Sequence, residues 1–195
     1  MYRVIGTVKS RALRVMWMLE ELDQDYELIT APPRSDVARQ YNPLGKIPAL
    51  VDGNDVLTDS VAIMTYLADK HNALTAPAGT PARAKQDAVT CWLIDEMDAI
   101  LWAAAKHSFI LPEDKRVPEI IAPLHAEFAR NADSLTKRLG DQEFLMGATI
   151  TLPDVLAVHC IGWAFGVGFP PVPDALKAYS KRLRARPAFR AAANH

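Results

Sequence analysis

Asp59 and Ser60 stand where a predicted helix begins, and together they could bind a ligand group that carries both an ammonium and a carboxylate. The first turn of a helix has unpaired N–H groups and the positive end of the helix dipole, so it favours a negative group. The Ser60 hydroxyl and a backbone N–H would hold the carboxylate, and Asp59 would accept the ammonium. The simpler interpretation is a plain N-cap, which Asp or Ser commonly forms.

The elements that must position these residues begin with a mixed strand and helix pattern. Strand-like and helix-like periodicities predict, in chain order, Tyr2–Gly6, Arg11–Leu22, Tyr26–Thr30, Ala49–Asp52, Val56–Thr58 and Ser60–His71. The first three form a βαβ unit, whose two strands must be parallel. The next two flank a turn and predict a hairpin. Pro48 precedes that hairpin at a strand start, where its missing N–H is tolerated, and beginning a strand is its simplest explanation.

The sequence after residue 82 is almost entirely helical. Helices are predicted at about 83–107, 119–139, 151–164 and 174–186. The third is apolar on all sides, so we expect it at the centre of a helical domain, beginning with a capping box of Thr151 and Asp154. The sequence thus predicts an α/β domain over 1–72, a Pro-rich linker over 73–82 and an all-α domain over 83–195.

The composition excludes several classes of protein. The 195 residues carry 22 Lys plus Arg against 23 Asp plus Glu and are 50% apolar, which favours a globular protein over a disordered chain or a dedicated nucleic-acid binder. The basic residues within 177–190 fit a solvated helix face better than a nucleic-acid surface. Cys91 and Cys160 form no disulfide scaffold, the five His show no paired-ligand spacing, and no metal is expected. With no signal peptide or membrane-length apolar run, a cytoplasmic protein without a membrane partner is predicted.

Four motifs, in their order and spacing, are similar to those of cytosolic glutathione transferases over nearly the whole chain. They are Tyr41-Asn-Pro-Leu-Gly-Lys-Ile-Pro-Ala-Leu50, Leu57-Thr-Asp-Ser-Val-Ala-Ile63, the capping box, and Arg186-Pro-Ala-Phe189. The resemblance implies a thioredoxin-like domain followed by an all-helical domain, assembled as a homodimer that serves detoxification in the cytoplasm. It also implies glutathione as cosubstrate.

The same resemblance assigns the glutathione contacts. In proteins that this chain resembles, the proline equivalent to Pro48 is cis, so Ile47 would pair its peptide N–H and C=O with the cysteinyl residue, like an added strand. The γ-glutamyl group carries an ammonium and a carboxylate on one carbon, which suits Asp59 and Ser60. Lys46 would meet the glycyl carboxylate, although a lone loop lysine is more often simply solvated.

The residue that would assist the glutathione thiol lies between Thr7 and Arg11. A hydrogen-bond donor beside a helix start can lower a thiol pKa from about 8.5, and we select Ser10. Different classes of the family place the functional residue on Thr7, Lys9 or Ser10, so Thr7 or the cationic Lys9 and Arg11 stay open. Ser10 could equally be only a helix cap.

Trp102, His107 and Phe109 are expected to line the site of a small hydrophobic electrophile, between the two halves of the chain. Core packing is the more usual role of aromatic residues at helical spacing. The leading prediction is a transferase that stabilises the glutathione thiolate and conjugates it to an electrophile. Two alternatives are a glutathione-dependent disulfide reductase, peroxidase or isomerase on the same fold, and a non-catalytic glutathione-binding or protein-interaction module.

Overall fold

The computed structural model describes residues 1–195 and consists of two compact units. Unit 1 comprises Met1–Thr80 together with Leu183–His195, and unit 2 comprises Pro81–Arg182. The expected division placed residues 183–195 with the helical half, whereas in the structure this segment packs within unit 1. The reason is a set of contacts between the last helix and the first, described below. None of the helices combines the length and apolarity needed to span a membrane.

Unit 1 is built on a four-stranded mixed sheet. Its strands are β1 (Tyr2–Gly6), β2 (Tyr26–Thr30), β3 (Ala49–Asp52) and β4 (Asp55–Thr58), in the spatial order β2-β1-β3-β4. β1 and β2 are parallel, whereas β3 is antiparallel to both β1 and β4. The predicted βαβ unit and hairpin are therefore confirmed.

Three helices accompany this sheet, namely α1 (Ala12–Glu21), α2 (Asp36–Tyr41) and α3 (Ser60–His71). α1 and α3 pack against one another, and both bury apolar stripes that the periodicity predicted. α2 was not predicted, because its six residues bury a single side chain, that of Ala38, and so carry no apolar period.

Unit 2 is helical throughout. Its main helices are α4 (Pro81–Leu93), α5 (Ala99–Ala105), α6 (Ile121–Leu139), α7 (Leu152–Gly166) and most of α8 (Asp174–Arg184). The predicted 83–107 helix is α4 and α5 with π-helical turns at Ile94–Asp98 and Lys106–Ile110. α7 packs against α4 and α5 and is buried along most of its length, and its capping box is present, so both predictions are confirmed.

The chain ends in a helix, α9 (Pro187–Ala193), that the sequence did not predict. Its Phe189 ring meets the Trp17 ring of α1 edge-on, with 4.9 Å between ring centroids. Arg186 donates two hydrogen bonds to Glu21, at 2.6 and 2.7 Å. These contacts explain why the last residues belong to unit 1.

Candidate functional site

The loop from Asn42 to Pro48 is held in place by its own hydrogen bonds. The Asn42 side chain accepts from the Leu44 N–H and donates to the Lys46 carbonyl, both at 3.1 Å. Gly45 has φ of 63°, in the left-handed region, and a Cβ there would lie 2.9 Å from the Cα of Arg34. The loop is thus rigidly placed, with the Lys46 side chain exposed to solvent.

Ile47 presents a peptide group that nothing in the protein uses. The Ile47–Pro48 bond is cis, and β3 begins after it at Ala49. No hydrogen bond within the protein engages the Ile47 N–H or C=O. The Ile47 side chain packs near the end of β1, where a Cβ on Gly6 would lie 3.7 Å from the Cβ of Ile47 and 2.5 Å from that of Ala12. Glycine at this position therefore lets the first residue of α1 lie close to the end of β1, beside Ile47.

The start of α3 combines a carboxylate cap with unused donors. The Asp59 Oδ1 accepts from the Val61 and Ala62 N–H groups, at 2.9 and 3.1 Å, while its Oδ2 makes no hydrogen bond within the protein. Asp59 has φ of 70°, a conformation that is rare and costly outside glycine and that concentrates at functional sites. The Ser60 N–H is likewise not engaged. This helix start can accept a ligand carboxylate and, beside it, a cation.

Arg14 is a residue of this region that sequence reasoning missed. It lies in the first turn of α1, is 1% exposed, and donates from Nη1 to Ser60 Oγ at 3.3 Å. The sequence did contain an indication of this role, because Arg14 stands among the apolar residues of an amphipathic helix. A buried arginine requires specific partners, since burying a charge is costly. Ser60 is one of its partners, and the periodicity of α1 gives no indication of a residue 46 positions away.

The turn before α1 is closed by the Ser10 side chain. Ser10 Oγ donates to the Thr7 carbonyl at 2.7 Å and accepts from the Ala12 N–H at 3.1 Å. Ser10 and Thr7 are both partly exposed. Gly6 lies between this turn and Ile47, and Arg14 of α1 donates a hydrogen bond to Ser60 of α3. Ser10, Ile47 and Ser60 therefore lie on neighbouring elements of unit 1.

Trp102, His107 and Phe109 lie in unit 2, on α5 and the π-helical turn that follows it. Trp102 is 37% and Phe109 59% exposed, so neither is a core residue. His107 accepts the Val117 N–H on its Nδ1 at 3.1 Å, which leaves Nε2 as the ring donor when the imidazole is neutral. By contrast, Cys160 is buried, as expected for packing.

Comparison with known proteins identifies the family. Residues 10–78 match the glutathione S-transferase N-terminal domain, and residues 100–187 match the glutathione S-transferase C-terminal domain. Glutathione S-transferase 3 of Zea mays is 32% identical over an alignment of 201 positions, which covers 93% of this chain and 88% of the maize protein. The chain belongs to the glutathione S-transferase family.

Other members of the glutathione S-transferase family are similar over part of their length or in fold. Glutathione S-transferase theta-1 of Rattus norvegicus is 35% identical over 143 residues, 70% of this chain, and the chain spans 59% of that protein. Glutathione transferase F7 from Populus trichocarpa superposes with a TM-score of 0.84 at 21% identity, covering 100% of this chain and 98% of that one. The theta class enzyme of Xanthomonas axonopodis pv. citri, solved with glutathione bound, superposes with a TM-score of 0.81 at 24% identity, covering 100% and 97%. The predicted fold class is confirmed.

Proposed function

We propose that this glutathione S-transferase family member binds glutathione in unit 1, favours its thiolate and conjugates it to a small electrophile. The observation that carries the proposal is the pair of unused polar groups in one unit: the Ile47 peptide group, and the Ser60 N–H at the start of α3. Buried or half-buried backbone groups are normally paired, so these unpaired ones suit a ligand. Membership of the family supports glutathione as that ligand.

Each part of the tripeptide has a proposed partner. The cysteinyl residue pairs with the Ile47 N–H and C=O, in the manner of an added strand. The γ-glutamyl carboxylate receives the Ser60 N–H and hydroxyl, and its ammonium meets the free Oδ2 of Asp59. The exposed Lys46 side chain reaches the glycyl carboxylate. This arrangement leaves the cysteinyl sulfur beside the turn that contains Ser10.

Ser10 is the proposed donor to the thiolate, with Thr7 as its alternative. The Ser10 proton now given to the Thr7 carbonyl would turn to the sulfur, where a donor and the start of α1 favour the anion. The thiolate then attacks an electrophilic carbon: a sulfur–carbon bond forms, and the leaving group departs with its electron pair.

Trp102, His107 and Phe109 are the proposed contacts of a hydrophobic electrophile, supported by the exposure of Trp102 and Phe109. No metal is needed.

One observation favours a second candidate, a glutathione-binding module without useful catalysis. The Ser10 hydroxyl already donates to the Thr7 carbonyl and accepts from the Ala12 N–H within its own turn. A hydroxyl that stays committed to its own turn would hold glutathione nearby without shifting its thiol pKa.

A titration separates the two candidates. We expect glutathione to saturate the protein in calorimetry and the thiol of bound glutathione, followed by thiolate absorbance, to titrate at least about one pH unit below its free value. Aromatic halides, disulfides, hydroperoxides and isomerisable substrates would then be assayed with glutathione. Binding with an unshifted thiol favours the module, and absence of binding by folded protein contradicts both.

We further propose a cytoplasmic homodimer that acts in detoxification. Both cysteines are free thiols, and Cys91 is exposed, which suits a reducing compartment. Leu44 and Val56 of unit 1 are 73% and 44% exposed, which suits a surface covered by a second copy. Since one chain has a mass of 21.5 kDa, sedimentation should report twice that, 43 kDa. A single species at the monomer mass would contradict the dimer.

A further inference from the structure

Arg14 places a buried cation directly behind the start of α3. Its side chain is 1% exposed, and Ser60, to which it donates, is 3% exposed. Burying a guanidinium is costly unless hydrogen bonds or opposite charge compensate for lost water. Ser60 supplies one of the hydrogen bonds that compensate this guanidinium, and it stands at the helix start that we assign to a carboxylate.

The contact with Arg14 fixes what the Ser60 hydroxyl can do. A hydroxyl has one proton and two lone pairs, whereas a guanidinium has donors and no acceptor. Because Arg14 donates to Ser60 Oγ, the Ser60 proton must point to another acceptor. The Ser60 N–H is also unused within the protein, so residue 60 offers two donors, which match the two oxygens of one carboxylate.

We propose that Arg14 is a positioning residue for the α-carboxylate of the γ-glutamyl group, acting through the Ser60 hydroxyl; this inference rests on the proposed function. By donating to Ser60 Oγ, Arg14 leaves the Ser60 proton to point at the carboxylate. It does not touch glutathione itself. The affinity of the site for this end of the ligand therefore depends on a residue of α1, outside the helix that contacts it.

A merely structural Arg14, which ties α1 to α3, makes a different prediction. Loss of a structural tie weakens every ligand of the site to a similar degree. Loss of the positioning effect weakens only ligands that carry the α-carboxylate. The probe that distinguishes them is 4-aminobutyryl-cysteinyl-glycine, which is glutathione without that carboxylate.

The experiment is calorimetry of the full chain and its Arg14→Met variant with both peptides. For the native protein, removing the carboxylate should weaken binding about tenfold or more. Arg14→Met should weaken glutathione about tenfold and leave the carboxylate-free peptide within about twofold of the native value. Arg190→Met, which removes the same charge from an exposed position of α9, should change neither affinity.

The outcomes separate this proposal from the function on which it rests. If folded native protein binds neither peptide, the proposed function fails. If native protein binds glutathione but Arg14→Met weakens both peptides equally, or neither, the role of Arg14 is overturned and the function stands. Should Arg14→Met not fold, Arg14→Gln replaces it, because the glutamine side chain ends two atoms short of the Nη1 that donates to Ser60. It should weaken glutathione at least about threefold and spare the carboxylate-free peptide, and any other pattern overturns the proposal.

Discussion

Asp59 and Ser60 are adjacent, yet they have different roles at the start of α3. The Asp59 carboxylate caps the helix through the Val61 and Ala62 N–H groups. Ser60 caps nothing; it accepts from Arg14 and keeps its own N–H unused. A substitution at Asp59 therefore removes a helix cap and a proposed ligand contact together, whereas a substitution at Ser60 removes a proposed ligand contact and no cap.

Ser60→Ala should weaken glutathione binding about tenfold while changing the free energy of unfolding by no more than about 1 kcal/mol, because a ligand contact and one internal hydrogen bond are lost. Calorimetry and urea unfolding measure the two effects. Asp59→Ala is the companion variant: it should lower the free energy of unfolding by about 1 kcal/mol through loss of the cap, and it should also weaken glutathione binding because Oδ2 is the proposed partner of the ammonium. Equal losses of binding and stability in Ser60→Ala would contradict the assignment.

Ser10→Ala should lower the rate of conjugation at least about tenfold and leave glutathione affinity within about twofold. It should also lower the free energy of unfolding by about 1 kcal/mol, since the Ala12 N–H loses its acceptor. Steady-state kinetics at saturating glutathione tests the first effect. An unchanged rate would move the role to Thr7, for which Thr7→Val is the companion variant.

At the scale of elements, α7 begins on a buried carboxylate. Asp154 has no exposed surface and accepts four hydrogen bonds. Its Oδ1 accepts from the Leu145 N–H and the Tyr179 hydroxyl, and its Oδ2 accepts from the Thr151 N–H and hydroxyl. Burial raises the pKa of Asp154 above its ordinary value, and these hydrogen bonds oppose the rise. The capping box is thus also a junction between α7, α8 and the segment before them.

Asp154→Asn should lower the free energy of unfolding by about 2–4 kcal/mol near neutral pH, because the amide NH₂ must face two donors whichever way it is turned. The native carboxyl has a raised pKa, so the folded chain binds more protons than the unfolded chain between the ordinary and the raised value. The free energy of unfolding of the native protein relative to Asp154→Asn should therefore fall as pH rises through that window. Urea unfolding at successive pH values measures it, and a rising difference would contradict the raised pKa.

Periodicity predicted the long elements and missed those that lack an apolar period. The strands of unit 1, α3 and α7 follow the predicted bounds to within about two residues, because the apolar residues or the flanking turn residues of each element mark where it begins and ends. α2 buries only Ala38, so it has no apolar period to reveal it. The two π-helical turns were not distinguished from the α-helix that the sequence predicts over 83–107. The residues of the candidate site that lie in the two sequence motifs, 41–50 and 57–63, could be selected from the sequence. The pairing of Arg14 with Ser60 was not, because it joins two helices distant in sequence.

At the scale of the whole molecule, the motif Arg186-Pro-Ala-Phe189 is structural. Glu21 of α1 receives both Arg186 hydrogen bonds and that of Trp17 Nε1, while Phe189 packs on the Trp17 ring. The Glu21 side chain is 7% exposed, so its charge depends on these partners. The motif therefore joins the end of the chain to its first helix.

Arg186→Met should lower the free energy of unfolding by about 3 kcal/mol, because it leaves the buried Glu21 charge without its partner. The double variant with Glu21→Gln should be less destabilised than the sum of the single variants, and chemical denaturation with a double-mutant cycle measures this coupling. Glu143→Gln is the control: it breaks the exposed ion pair with Arg182 and should cost less than about 1 kcal/mol. Additive effects of Arg186→Met and Glu21→Gln would contradict a shared network.

The discontinuity of unit 1 has a consequence for biosynthesis. Its sheet and α1 leave the ribosome first, but the partners of Trp17 and Glu21 are translated more than 160 residues later. Until then the indole and carboxylate on α1 remain uncovered, and the nascent unit stays open to chaperones and proteases. A chain that stopped before residue 183 would contain every proposed glutathione contact, yet it would lack the residues that pack on Trp17 and bind Glu21.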